Sequence, residues 1–442
     1  MKNKLIMLAM LGIFSANFMH SDEVEEVVVQ ASLLDVTEDE IGDPLHILSG
    51  SDVSDLGTVS LGEVLDSLVG VTSADYGSAV GQPIIRGLSG SRVKILTNGL
   101  VNRDVAGIGA DHKNEVDLND IQQIEVVRGP SSLLYANGVI GGIVNIVDNT
   151  IAMEDVVDRV FKLGLETQSV NSGDSTSFSF RDNVGMGLNV YFSYSDSSFG
   201  NYDVPSGAIL HEEEHDEEEE HDEEEHHDDD KGYLENSDSA QEATRFGVSK
   251  VADWGYVGLS VSSSESLFGV PFHGEEHDEE EHEGEHEDER IFSTTDSDKF
   301  NIKGSIKLDS DLVNNLDFFY QDSDYAHTEQ HAEEEHDEEE HDEEEEHHEE
   351  GPTTFTNDSS EYGMIFDLSN DLMTQKVSLN VSDETVSIVG EEAFMNPADR
   401  EELTLGYFAR RDFDLFELSF GVRYDQIDTS GSVTGHHEED HH

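Results

Sequence analysis

Most histidines of the chain lie in four runs where they are embedded among glutamate and aspartate. These histidine/acid runs span residues 211–230, 273–290, 327–350 and 436–442, and they hold 19 of the 22 histidines. Imidazole nitrogen beside carboxylate oxygen is a ligand mixture that suits divalent transition metals. The candidate ligands of the first three runs are His211, His215, His221, His226, His227, His273, His277, His282, His286, His327, His331, His336, His341, His347 and His348.

Composition narrows the chemistry of these runs. The net charge of −78 makes nucleic acid an unfavourable partner. The chain has no cysteine, which excludes thiolate ligands and disulfides. Nitrogen and oxygen ligands favour zinc over copper(I), while nickel, cobalt and manganese remain open. The chain has no nucleotide-binding GxxxxGK[ST] loop, and no enzyme activity and no catalytic cofactor are expected.

The N-terminus predicts export. Lys2 and Lys4 precede an apolar stretch over residues 5–14, so residues 1–21 are interpreted as a signal peptide. No later segment is long and apolar enough for a membrane-spanning helix. The mature protein is therefore either soluble or a β-barrel, whose spanning strands give a weaker hydropathy signal.

From residue 158 to the last residue, the pattern predicts about eleven strands with apolar and polar residues in alternation. The links after the even-numbered strands are tight turns, and each histidine/acid run follows an odd-numbered strand. Because successive connections of an up-and-down barrel lie on opposite sides, the runs are expected together on one side. The predicted extracellular loops are 197–241, 267–297, 326–358 and 427–442.

Residues 36–150 are glycine-rich and lack the long alternating strands that follow residue 158, and they carry two specific motifs. These are QPIIRGL at 82–88 and IEVVRGPSSLLY at 124–135. Both resemble plug motifs of TonB-dependent outer-membrane receptors. The resemblance implies an α/β plug domain inside a 22-stranded antiparallel transmembrane β-barrel in a Gram-negative outer membrane, in contact with its lipid. About eleven strands are half of that number, so the sequence is expected to be a C-terminally truncated fragment.

A short segment after the signal resembles the TonB box of the same family, within a linker over residues 22–35. The segment consists of Glu26, Val27, Val28, Val29, Gln30 and Ala31. The resemblance implies that it binds the energy-transducing protein TonB, and an apolar β-branched segment suits strand addition to a partner. An ordinary first strand of the plug is the alternative.

Two further features resemble the zinc-uptake subgroup of these receptors. The segment FGVP at 268–271 leads into His273, and Asp111-His112 lies between the two plug motifs. The subgroup carries an Asp-His pair on a plug loop that faces the outer vestibule. The resemblance therefore implies that Asp111 and His112 bind metal, with further ligands from the barrel wall that the sequence does not place.

These observations predict import of a divalent transition metal, with zinc favoured. The runs would capture the ion, and Asp111 and His112 would receive it. Two alternatives stay open: a TonB-dependent receptor for a metal chelate such as a siderophore, haem or cobalamin, and a surface metal-binding protein without transport.

Overall fold

The computed structural model describes residues 45–57, 60–208, 232–271, 290–308, 310–331, 351–390 and 393–432. The predicted signal peptide, the TonB-box-like segment and most of the histidine/acid runs lie outside these ranges. Within the described ranges, no helix is both long and apolar enough to cross a membrane. The described chain forms an N-terminal domain and one large antiparallel sheet.

The N-terminal domain is the predicted α/β plug. Its elements are β1 (Leu45–Ser49), α1 (Gly50–Leu56), α2 (Leu61–Asp66), β2 (Val71–Tyr76), β3 (Val80–Ile85), β4 (Val93–Thr97), β5 (Leu100–Val101), β6 (Ile121–Val127) and β7 (Gly142–Asp148). One sheet has the strand order β1-β6-β7-β4-β5, with β4 and β7 parallel, and β2 pairs with β3 in a hairpin. Leu65, Ile85 and Ile124 are fully buried in its core. Burial of these large apolar side chains stabilises the plug as a unit.

Local sequence signals set the ends of the plug elements. Ser49 and Asp52 form a capping box that starts α1, and Gly57 ends the helix in the left-handed conformation with φ 61°. Asn98 and Gly99 both have positive φ between β4 and β5. Asn-Gly is favoured in such a two-residue hairpin turn, which places Thr97 opposite Leu100.

Eleven strands form the large sheet, as the alternation predicts. They are β8 (Val160–Gln168), β9 (Gly173–Gly185), β10 (Leu188–Phe199), β13 (Ser239–Ala252), β14 (Gly255–Gly269), β15 (Ile291–Lys307), β16 (Asn315–His331), β17 (Thr353–Asp367), β18 (Thr374–Val389), β19 (Ala398–Phe413) and β20 (Phe416–Ser430), and the link after β10 adds the short pair β11 (Tyr202–Asp203) and β12 (Tyr233–Leu234). Each strand of the large sheet pairs antiparallel with its neighbour along the chain. The tight turns and the long links therefore lie at opposite ends of the sheet, as predicted.

The two faces of this sheet have opposite character. Phe246, Leu259 and Leu405 are exposed on the outer face. Ser260 and Thr295 are buried on the inner face, toward the plug. A soluble sandwich buries its apolar face, whereas membrane barrels turn that face to lipid. The exposed apolar outer face of the sheet is typical of a membrane barrel. It favours a barrel over a soluble sandwich, a choice that the alternation of residues alone leaves open.

The strands extend further toward the runs than the sequence predicts. The loop expected over 326–358 is bounded by β16, which continues to His331, and by β17, which begins at Thr353. The strands also enter the predicted loops 197–241, 267–297 and 427–442. Cross-strand pairing explains the difference, because His327 and Phe355 are direct partners despite the polar composition around them. His327 therefore belongs to the wall of the sheet and not to a loop.

Buried ion pairs fix the plug against the sheet. Arg245 of β13 lies 3.2 Å from Asp117 and 3.0 Å from Asp148, both on the plug. The Arg245 side chain is 9 % exposed. Its guanidinium also donates to the carbonyl of Asn119. Removing one partner of such a network leaves uncompensated charge in a desolvated site, which is more destabilising than the pair is stabilising.

We expect Arg245→Met to weaken the docking of the plug by about 3–5 kcal/mol, because two buried carboxylates lose their cation. The measurement is the denaturant midpoint of the detergent-solubilised receptor, with proteolysis of the plug as a second readout. The control is Arg159→Met, since Arg159 is 62 % exposed and pairs with Asp182 on the same sheet. That variant should change stability by less than about 1 kcal/mol. Equal effects of the two variants would contradict the prediction.

Candidate metal site

Three metal-binding side chains converge where the plug meets the sheet. They are His112 of the plug and His327 and Glu329 of β16, with one ligand atom of each within 4.8 Å of the others. The Nε2 atom of His112 lies 2.8 Å from Glu329 Oε1, and the Nε2 atom of His327 lies 3.1 Å from the same oxygen. One carboxylate oxygen thus joins two imidazoles.

Strand geometry brings two of these ligands to one face. Side chains of a strand alternate between faces, so residues two apart point the same way. His327 is fully buried and Glu329 is partly buried on the face of β16 that meets the plug. Tyr325, two residues earlier, is buried on the same face.

The third ligand is held by a loop of the plug that one side chain organises. The amide nitrogen of Gln82 donates to the carbonyls of Ala106 and Gly109 at 2.8 Å and to that of His112 at 3.0 Å. Gln82 is the first residue of the plug motif at 82–88. A single buried amide therefore fixes the backbone that presents His112 to the sheet.

Two contacts orient the His112 ring. Its Nδ1 atom lies 3.0 Å from the carbonyl of Val105, an acceptor that requires a proton on Nδ1. In the neutral ring this leaves the lone pair of Nε2 directed toward Glu329, which is the arrangement that metal-binding histidines use. A Cβ at Gly109 would lie 2.9 Å from the His112 ring, so only glycine leaves room for this position.

Aromatic rings surround the two histidines. Phe355 meets His112 edge-on at 4.9 Å between ring centroids, and Phe268 stacks on His327 at 5.9 Å. The two imidazole centroids are 4.6 Å apart. Phe268 belongs to the FGVP segment and packs with Val270 against the plug. These rings exclude water and strengthen the electrostatic interactions within the cluster.

The electrostatics of His112 favour the charged ring. Burial lowers the pKa of His112, but the hydrogen bond to Glu329, the contact with the Val105 carbonyl and the charges of Glu329 and Asp111 together raise it above its ordinary value. A proton on Nε2 and a metal ion compete for the same lone pair. Without metal, the cluster is thus an imidazolium hydrogen-bonded to a carboxylate. A metal cation could take the place of the proton on Nε2.

The ligand set fits zinc chemistry. Zinc accepts imidazole nitrogen and carboxylate oxygen, and structural zinc sites are closed by four protein ligands. Three protein ligands would leave one coordination position open. No group of three or more potential metal ligands other than His112, His327 and Glu329 occurs among the described residues.

The structure modifies the predicted site in three ways. Asp111 lies outside the cluster of His112, His327 and Glu329, although its charge acts on both imidazoles, and its predicted metal-binding role stays a prediction. His327, expected in the extracellular loop 326–358, is buried in β16, and His331 is the last residue of that strand. Glu329 is not predicted from the sequence, because it is one of many acidic residues in its run. Its signal was its spacing of two from His327, which predicts one shared face if the strand continues. The remaining predicted ligands in the runs and the TonB-box-like segment lie outside the described residues.

Residues 37–143 match the family model of the TonB-dependent receptor plug domain. A curated relative, the vitamin B12 transporter BtuB of Vibrio vulnificus strain CMCP6, is 26 % identical over 171 residues, covering 37 % of this chain and 27 % of the relative. Both the relative and the structures named below are described as transporters, not as enzymes.

Solved structures share the fold at low sequence identity. The copper transporter OprC superposes with a TM-score of 0.63 at 11 % identity, covering 88 % of this chain and 57 % of that one. The FrpB iron transporter from Neisseria meningitidis gives a TM-score of 0.61 at 13 % identity, covering 85 % and 59 %. The chain thus spans less than two thirds of these proteins. The matched plug domain and the shared architecture of plug and antiparallel sheet together support a TonB-dependent receptor.

Proposed function

We propose that this chain belongs to a TonB-dependent importer of a divalent transition metal, with zinc as the favoured ion. The observation that carries the proposal is the cluster of His112, His327 and Glu329 across the junction of plug and sheet. A site shared between two bodies can be assembled when they dock and broken when they move apart. That property is useful for transport and is not needed for a structural metal.

Ligand type favours zinc over the cargo of the similar structures. The similar fold of a copper transporter and an iron transporter is compatible with several metals and selects none of them. The cluster offers two imidazoles and a carboxylate, without sulfur. Copper(I) prefers soft sulfur ligands, so zinc fits better, while nickel, cobalt and manganese are competitors to be tested in the same binding assay.

The surroundings of the site support location in an outer membrane. The exposed apolar face of the large sheet suits contact with lipid. The long links that carry the histidine/acid runs lie at one end of the sheet, and the tight turns lie at the other end. The runs would act as a polyanionic antenna that raises the local concentration of divalent cations above the site. We infer that His327 and Glu329, at the start of the third run, connect that run to the defined site.

Energy for release would come through TonB, bound by the segment Glu26–Ala31. The chain has no nucleotide-binding loop of its own. Loss of TonB should therefore abolish accumulation and leave binding intact. Zinc accumulation that survives loss of TonB would favour a surface metal-binding protein without transport.

One observation favours a chelate as the alternative cargo. The similarity to a vitamin B12 transporter extends over 171 residues, beyond the plug alone. Uptake of labelled zinc compared with labelled cobalamin by cells that carry the receptor separates these two functions. The buried imidazole pair favours the free ion, because a bulky chelate presents few open coordination positions to it.

Loss of a residue that only orients a ligand reduces metal affinity about 10–100-fold. Removal of a ligand itself should lower zinc affinity more than that. We therefore expect His112→Ala and His327→Ala each to weaken zinc binding by about 100-fold or more at neutral pH. Competition with a fluorescent chelator measures this in the purified receptor. The control is His46→Ala, since His46 lies on β1 of the plug and bonds to the Val69 carbonyl. Unchanged affinity in both site variants would exclude the cluster as the metal site.

Zinc binding should strengthen as pH rises through the pKa of His112. That pKa is raised above its ordinary value, chiefly by Glu329 and against the opposing effect of burial, so proton competition extends to higher pH. Glu329→Gln removes the negative charge and should move the midpoint of the pH dependence downward, while the affinity at high pH falls through loss of a ligand. Titrations at several pH values test both effects. A midpoint that moves upward in this variant would contradict the assignment.

The histidine/acid runs should matter most when zinc is scarce. We expect deletion of residues 211–230, 274–289 and 332–350 together to reduce uptake at submicromolar zinc and to have little effect when zinc is abundant. The third deletion begins after His331, so the wall ligands stay in place. Single histidine substitutions within the deleted segments should do little. Equal uptake at every zinc concentration would exclude the capture role.

A further inference from the structure

The two imidazoles of the metal site are held in different ways. His112 has a partner at each nitrogen, because its Nδ1 atom contacts the Val105 carbonyl and its Nε2 atom contacts Glu329. The Nε2 atom of His327 also contacts Glu329, but its Nδ1 atom is buried and has no hydrogen-bond partner among the described residues. Metal-binding histidines are usually oriented by a hydrogen bond at the second nitrogen. The orientation of the His327 ring therefore has to come from other contacts.

Ring packing supplies those contacts. Phe268 of β14 stacks on His327 with an angle of 28° between the ring planes, and Phe355 of β17 lies 5.8 Å from the same ring between centroids. Phe355 also contacts the His112 ring, whereas the ring contact described for Phe268 is with His327. Aromatic rings prefer a few mutual arrangements, so a stacked partner favours one orientation of the imidazole. Phe268 thus acts on His327 separately from the other imidazole.

The plug hairpin formed by β2 and β3 holds Phe268 in turn. Phe268 is fully buried in an apolar cluster that contains Ala79 and Val80 of the hairpin. The tip of the hairpin also fits closely against the end of the FGVP segment, because a Cβ at Gly77 would lie 2.8 Å from the ring of Pro271. Close packing on several sides limits the rotamers of a buried side chain. The position of the Phe268 ring therefore depends on the hairpin.

The same hairpin supports the other imidazole. Gln82 lies on β3, and its side-chain amide donates to the carbonyl of His112 at 3.0 Å. Val80 lies two residues earlier on this strand and packs in the cluster that holds Phe268. Residues two apart on a strand share one face. One face of a short strand is therefore connected to His112 through an amide and to His327 through an aromatic ring.

We propose that Phe268 is a positioning residue of the metal site, which fixes the orientation of His327 and connects it to the plug hairpin. The proposal rests on the proposed function. Withdrawal of the hairpin would remove the packing that holds the Phe268 ring and, through Gln82, the support of the loop that carries His112. Both imidazoles would then lose their orientation in one movement, while the backbone of the sheet stays in place.

The test measures the zinc affinity of the whole receptor by competition with a chelator. Phe268→Leu keeps an apolar side chain in the cluster and removes the ring that stacks on His327. We expect zinc affinity to fall about tenfold or more, as loss of an orienting partner implies. Phe268→Ile, with a different apolar shape, should give the same loss. The matched control is Val270→Ala, since Val270 is buried in the same cluster. That variant should unfold at a lower denaturant concentration and keep zinc affinity within about threefold of the wild type.

A double variant shows whether Phe268 acts through His327. In a His327→Ala background, Phe268→Leu should lower zinc affinity no further, because the ring that it positions is absent. Equal losses in both backgrounds, or an equal loss in Val270→Ala, would overturn the proposal, since a loosened plug would then be the cause. Unchanged affinity in Phe268→Leu, with weakened binding in His327→Ala, would also overturn it and leave the importer intact. Unchanged affinity in His327→Ala would overturn the metal site on which the proposed function depends.

Discussion

The metal site depends on the alternation of side chains along β16. Tyr325, His327 and Glu329 share the face that meets the plug because they are two residues apart. A shift of the strand register by one residue would turn both ligands toward the outer face. Register is held by the pairs that β16 makes on each side, with Thr295 opposite His327 on β15 and Phe355 opposite it on β17. A long antiparallel ladder thus fixes the position of two ligands, and the plug needs to supply only one.

Charge is arranged around this site at a structural cost. Acidic residues on the exposed outer face of the sheet lie directly opposite one another across neighbouring strands. The row contains Asp196, Glu242, Glu265 and Asp296. Like charges in such positions destabilise the pairing. Because the row lies near the end of the sheet that carries the runs, its field adds to theirs and attracts cations. The unfavourable pairing within the sheet is consistent with the large negative charge of the whole chain.

Much of the fold follows from the sequence, whereas the site follows only in part. Alternation predicts all eleven strands, and the motifs at 82–88 and 124–135 indicate the plug. His112 is evident because it stands alone between distant histidines. The end of β16 is not evident, since residues after Tyr325 have the composition of a solvated loop. Only pairing with β15 and β17 keeps them in a strand, and such long-range pairing leaves no local signal. For the same reason Glu329 could not be distinguished from the acidic residues that follow it.

A site divided between plug and sheet has a mechanical consequence. A metal ion at the proposed site would be held only while His112 remains within a few ångströms of His327 and Glu329. A displacement of the plug loop by a few ångströms removes one ligand of three, and the remaining pair binds far more weakly. The same loop is fixed by Gln82, on a strand of the plug, so movement of that strand is transmitted to His112. If the proposed site binds metal, work done on the plug would release the ion without any change in the sheet, because the ladder of backbone hydrogen bonds makes the sheet the rigid partner.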